Sequence, residues 1–143
     1  MLGLARTTPS TFILMGADAA HHPAMIRPSA FVPLPAHLGP SVPSALSACS
    51  HNAPFLNMPL PAHSIHHDHA VAASVVEKLI ALDGHPDVLV VLSHDGTMDP
   101  VDGKKGGIDF LPHTANDWKA KGWKEAVHWK FLEKGNRVNR WDN

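Results

Sequence analysis

Nine of the thirteen prolines lie between Pro23 and Pro61, and this limits the fold more than any other feature of the chain. Each proline removes a backbone donor and fixes φ at about −65°, which works against long helices and central strands. Residues 23–62 are therefore expected to be an irregular cover loop laid over a core built elsewhere. A run this long without regular structure inside a compact domain usually serves function. Phe31, Leu34, Phe55, Leu56 and Met58 are the side chains expected to pin the cover down, and Ser41–Ser50 has room for one short helical turn.

Regular structure must then come from the flanks. Met1–Ser10 shows no pattern. Thr11–Met15 reads as a strand, and its continuous apolar character fits one covered on both faces. Asp68–Leu82 reads as a helix: Asp68 can cap its first turn, Val71, Val75, Leu79 and Leu82 recur on one stripe with Ala72 and Val76 beside it, and Gly84 and Pro86 end it. Val88–Leu92 (VLVVL) is a second continuous apolar strand, and a capped helix feeding a buried strand implies an α/β layer arrangement. A polar, glycine-rich loop follows, then a short strand over Ile108–Leu111. A second helix is expected over Asn116–Lys134, capped by Asn116, with Trp118, Ala126, Trp129 and Leu132 on one face and Gly122 as its weak point. Arg137–Asn143 is expected to fray.

The chain is long enough for one domain. Twelve Lys and Arg balance thirteen Asp and Glu, so no basic stripe points to nucleic acid. No apolar run approaches the roughly 18 residues of a membrane span. Phe12–Ala17 is shorter than the apolar core of a secretory leader, so a first strand is expected there. Cys49 is the only cysteine, an inert thiol in this reading, and the chain suits a reducing, cytoplasmic setting.

Twelve histidines are the unusual part of the composition, and their placement carries the chemistry. Asp18 follows the first apolar run directly, and His94-Asp95 follows the second. Strand ends in α/β proteins hold side chains rigidly beside the crevice that binds ligands. A carboxylate and a neutral imidazole are both good ligands for zinc or a similar divalent metal. The plainer alternative is that Asp18 caps a turn and His94 bonds a loop. His21 and His22 are adjacent, so at most one should reach a site with Asp18, holding a ligand in place or facing substrate. His63, His66, His67 and His69 around Asp68 form the densest cluster (HSIHHDH). It comes close to the dinuclear-metal motif H-x-H-x-D-H but carries Ser64 where the first His belongs. A helix cap with a solvated histidine approach explains it better. Trp118, Trp123, Trp129 and Trp141 suit core or interface, with Lys119, Lys121, Lys124 and Lys130 on a wet face.

Three segments together resemble the C-terminal part of a metallo-β-lactamase-superfamily protein, in particular its lactonase-like members found in fungi. These are the strand with GADAAHH, DHAVAASVVEKLIAL with DVLVVLSHD, and NDWKAKGWKEAVHWKFL; they cover Thr11 to about Trp141. The resemblance implies residues 1–143 as a single partial domain, the C-terminal half of an αββα sandwich. It implies Asp18 and His94 as ligands in a two-zinc centre that activates water against a lactone, other ester or amide carbonyl of a small molecule. The family's H-x-H-x-D-H signature belongs upstream of the bridging Asp, but only 17 residues precede Asp18 and none is His. The expectation is therefore a hydrolase-derived chain, inactive on its own, with weak metal binding and an exposed half-fold face able to self-associate. The alternative is a small non-catalytic, His-rich metal-binding or interaction module. No residue of this chain is expected to act as a catalytic group itself.

Overall fold

In the computed structural model, residues 2–37, 42, 46, 49–63, 66–98 and 115–133 are described. They build an α/β fold around a mixed three-stranded sheet in the order β1-β2-β3. Strand β1 (Gly3–Arg6) runs antiparallel to β2 (Phe12–Ala17), and β2 runs parallel to β3 (Val88–Leu92). The parallel pairing requires a crossover, supplied by the proline-rich segment and helix α1 (His69–Asp83).

The two apolar runs form the strands expected of them. Leu14, Val88, Val90 and Leu92 pack on one face against Val76 and Leu79 of α1, Ala20 just after β2, and Met25 and Ile26 of the cover. Ile13 and Leu89 pack on the other face against Met98, Trp118 and Val127. Coverage of both faces is why neither run alternates polar and apolar residues. Strand β1 was not foreseen. It exists because Thr7, Thr8 and Thr11 close a turn, with Thr7 N–H donating to the Thr11 carbonyl at 2.9 Å and the three hydroxyls bonded together. Leu4 remains 62% exposed, so this strand had no burial signature to read.

Helix α1 starts as expected, with Asp68 accepting from the Val71 N–H at 3.0 Å. Its buried stripe is the expected one in part: Leu79, with Val76 beside it, is buried as expected and Val75 packs against the core. Val76, Leu79 and Asp83 face inward, whereas Val71 is 59% exposed and Leu82 38%. Asp83 is buried in an ion pair with Arg27. Gly84 does end the helix, but its backbone is right-handed, with φ −73°. Glycine is needed for space: a Cβ at Gly84 would lie 2.3 Å from the Cβ of Phe31.

Of the side chains expected to pin the cover down, Leu34, Phe55 and Met58 pack against the clusters beneath it and Phe31 and Leu56 do not. Pro23–Ser29 is buried throughout, and Leu34 joins Ala24, Phe131 and Leu132 in a third cluster, while Phe31 and Leu56 stay exposed. Backbone bonds from Leu56 to Ala24 (2.9 Å) and from Leu34 to His51 (2.8 Å) tie its two limbs together. Proline leaves few donors there, so these cross-limb bonds stand in for a regular ladder.

The helix expected over Asn116–Lys134 is broken. A 3-10 turn at Ala115–Asp117 leads to α2 (Trp123–Val127) and a second 3-10 turn at Lys130–Leu132. Asn116 lies inside the first turn instead of capping a helix. Gly122 adopts φ +66°, a left-handed conformation that glycine enters at no steric cost, and the chain changes direction there. The break changes which residues are buried: Ala126 is exposed, and Lys124, Val127 and His128 are inside. Lys124 is thus not on the wet face. Its ammonium donates to the His85 and Val88 carbonyls at 2.7 and 2.9 Å and fastens α2 to the start of β3. Trp118 is core, 1% exposed, with its indole N–H donating to Thr7 Oγ1 at 3.2 Å. The strand expected over Ile108–Leu111, most of Ser41–Ser50, Trp141 and the C-terminal tail lie outside the described residues.

Candidate metal centre

Strands β2 and β3 are parallel neighbours, so their C-terminal ends lie side by side. This brings together Asp18 and His94, which are 76 positions apart in the chain. His94 Nε2 stands 3.1 Å from Asp18 Oδ1, with the two side chains 45% and 67% exposed. The sequence directs Asp18 there through a local irregularity. Pairing slips between Met15 and Ala17, leaving Gly16 as the extra residue of a bulge. A Cβ at Gly16 would come within 2.8 Å of Leu92. Ala17 then takes φ +46°, which a residue with a Cβ rarely adopts. Such strain concentrates where a side chain must be aimed for function.

The adjacent histidines separate. The Asp18-Ala19 turn closes with Ala19 N–H on the Gly16 carbonyl at 3.1 Å, and Ala20 is fully buried, which swings His21 back over the strand ends. The His21 ring stacks on His94, with centroids 5.2 Å apart and planes 27° apart. Ligand atoms of Asp18, His21 and His94 all lie within 4.8 Å of one another. It is the one such group of three among the described residues. His22 points elsewhere: its Nδ1 accepts from Ala24 N–H at 3.0 Å and its ring meets Phe131 edge-on. Asp95 also turns away from the site, accepting from the Thr97 N–H at 3.0 Å and from the Thr97 hydroxyl.

The donor chemistry suits a divalent metal ion. Two ligands about 2.0–2.1 Å from a tetrahedral ion are roughly 3.3 Å apart, close to the Asp18–His94 separation. The HSIHHDH segment contributes less. Asp68 caps α1, and His69 Nε2 bonds the Pro59 carbonyl at 2.8 Å, so two of its residues hold structure. The side chain of His63 lies outside the described residues. His66 does approach the site, its ring centroid 6.2 Å from that of His21, a proximity that spacing along the chain does not reveal.

A second polar cluster went unread in the sequence. Arg27 Nε and Nη2 donate to Asp83 at 2.8 and 2.7 Å, and Arg27 Nη1 donates to the His128 carbonyl at 3.1 Å. His128 Nε2 lies 2.9 Å from Asp83 Oδ2. Burial opposes ionisation of Asp83, yet the hydrogen bonds and charge of Arg27, helped by His128, hold its carboxyl well below the usual carboxylate range. Burial pushes the pKa of His128 down from its ordinary value, with the Asp83 bond working against it. Burial likewise lowers that of Lys124. The cluster is buried and joins cover, α1 and α2, so its work is structural. One signal was present: an acid at the C-terminal end of α1 opposes the helix dipole and needs a compensating cation.

No protein-family model matches the chain, and no solved structure matches it. Curated relatives do. Over 92% of its length the chain is 34% identical to Gamma-lactamase FDB1 of Fusarium pseudograminearum and 33% identical to Metallo-hydrolase mfmC of Annulohypoxylon moriforme. It spans 34% and 36% of those two proteins. It is 36% identical to the cytochrome P-450 monooxygenase mpaDE of Penicillium roqueforti, of which it spans 14%. The chain thus covers about a third or less of each relative. The chain is therefore a relative of one part of the metallo-hydrolase and gamma-lactamase proteins.

Proposed function

We propose that the chain is the C-terminal part of a metal-dependent hydrolase with a metallo-β-lactamase-type sandwich, and that Asp18 and His94 are ligands of its zinc centre. The observation that carries this reading is the 3.1 Å approach of His94 Nε2 to Asp18 Oδ1 at the ends of two parallel strands. Zinc held there would polarise a carbonyl and lower the pKa of water that attacks it, which suits lactones, other esters or amides of small molecules. Within the chain, the bulge at Gly16 and the turn at Ala17 aim the carboxylate, and β3 delivers the imidazole. The exposure of both side chains leaves room for the rest of the centre. The sequence contains no H-x-H-x-D-H, so the 143-residue polypeptide alone is expected to be inactive. The exposed β1 edge, with Leu4 uncovered, is where further strands or a second copy would pair.

The test is a chimera in which this chain replaces the matching third of the Fusarium gamma-lactamase. Hydrolysis of a simple γ-lactam and γ-lactone is followed with zinc present. The chain alone should stay at background, and the chimera should turn over. Asp18→Asn or His94→Ala should cost it at least roughly 100-fold, the upper end for perturbing a metal site even from its outer partners. A folded, active chimera indifferent to both substitutions would sink the proposal.

A further inference from the structure

The geometry points to a mononuclear metal site on this chain alone, with His21 as its third ligand beside Asp18 and His94. The inference rests on the reading of Asp18 and His94 as ligands and goes beyond it. It makes His21 a ligand instead of a residue facing substrate, and gives the chain a metal-binding capacity of its own.

Three observations carry it. First, the ligand atoms of Asp18, His21 and His94 fall within 4.8 Å of one another, so side-chain shifts of about 1–2 Å bring them to the roughly 3.3 Å spacing of ligands on one tetrahedral ion. Second, His21 is held in place from both sides. Ala20 before it is fully buried, and His22 after it is bonded through Nδ1 to Ala24 N–H at 3.0 Å, so the backbone at His21 has little freedom to leave. Third, His21 and His94 stack at 5.2 Å with 27° between their planes, which sets two imidazoles side by side next to a carboxylate. Two imidazoles and one carboxylate are a donor set that zinc uses in catalytic sites, where three protein ligands leave the fourth position open. The side chains of Asp18 and His94 are 67% and 45% exposed, so the fourth position faces solvent, and an ion can enter without opening the core.

The experiment titrates zinc, and separately cobalt(II), into the intact chain, reading stoichiometry and affinity by calorimetry and coordination by the visible cobalt spectrum. The expected result is one ion per chain with a four-coordinate cobalt spectrum. Asp18→Asn, His21→Ala and His94→Ala should each weaken binding by no less than the roughly 10–100-fold typical for outer partners of a metal site. His67→Ala should leave it unchanged. Circular dichroism confirms that each variant folds, as these side chains lie outside the core. If His21→Ala binds like the parent while Asp18→Asn and His94→Ala do not, the three-ligand site is overturned and the proposed function survives. If the ion is lost with His67→Ala and kept in the Asp18 and His94 variants, it sits in the HSIHHDH approach and both readings fail. Absence of any one-to-one binding overturns the mononuclear site outright.

Discussion

Replacing Asp83 with Asn keeps the side chain's shape and removes the charge that faces Arg27. Arg27 is only 2% exposed and directs Nε and Nη2 at the carboxylate from 2.8 and 2.7 Å. The amide of the variant offers one acceptor oxygen and no negative charge, so the guanidinium remains buried without a counter-ion. Breaking a buried pair from one side costs roughly 3–5 kcal/mol. A domain of ordinary stability holds about 5–15 kcal/mol in total, so the loss is a large fraction of it. In temperature this is a fall of roughly 10–15 °C. Urea unfolding followed by tryptophan fluorescence measures it, because Trp118 is 1% exposed in the fold. The companion variant, Arg27→Met with Asp83→Leu, removes both charges and fills the space with apolar atoms. It should be more stable than either single variant, with a coupling of about 2 kcal/mol or more. A single-variant loss under about 1 kcal/mol, or strictly additive single effects, would refute the claim that this pair holds cover and helix together.

Two further outcomes follow from the geometry. Ala17→Gly relieves a φ of +46° at the end of β2 and should raise stability by about 1 kcal/mol, read as a higher urea midpoint; an unchanged or lower midpoint would show that the left-handed turn is not strained. Stability should also fall on acidification in two stages, because His128 and Asp83 both have lowered pKa values in the fold, so the unfolded chain binds more protons and stability rises with pH. The His128 contribution is complete above its ordinary value of 6.5 and is lost as pH falls below it, and that of Asp83 is complete above 3.8 and is lost below that. Urea midpoints from pH 8 to 3 test this, with His128→Gln expected to flatten the upper stage; a parent midpoint that stays level from pH 7.5 to 5.5 would contradict it.

Part of this molecule is legible in residue order alone, for a local reason. The runs FILM and VLVVL, the Asp68 cap and the placement of Asp18 and His94 just past strand ends are encoded within a few residues of each position. Backbone propensity, capping and period act at that range, so they can be read without the fold. The α/β class follows from them. The pairing of Asp18 with His94 required one more step, the parallel register of β2 and β3, which the strand–helix–strand order suggests and the sheet supplies.

Tertiary structure decided what depends on partners far along the chain. Arg27 and Asp83 are 56 positions apart, and they meet inside the fold, where Asp83 is buried and Val71 is not. Lys124 reads as a surface lysine until α2 turns at Gly122 and lays it against the His85 and Val88 carbonyls. His21 and His22 have the same chemistry and adjacent positions. The buried Ala20 and the bond from Ala24 send one over the strand ends and fix the other at a turn. Desolvation and ion pairing are properties of the packed interior, and they overrode amphipathic period wherever a charged side chain found its counter-ion inside.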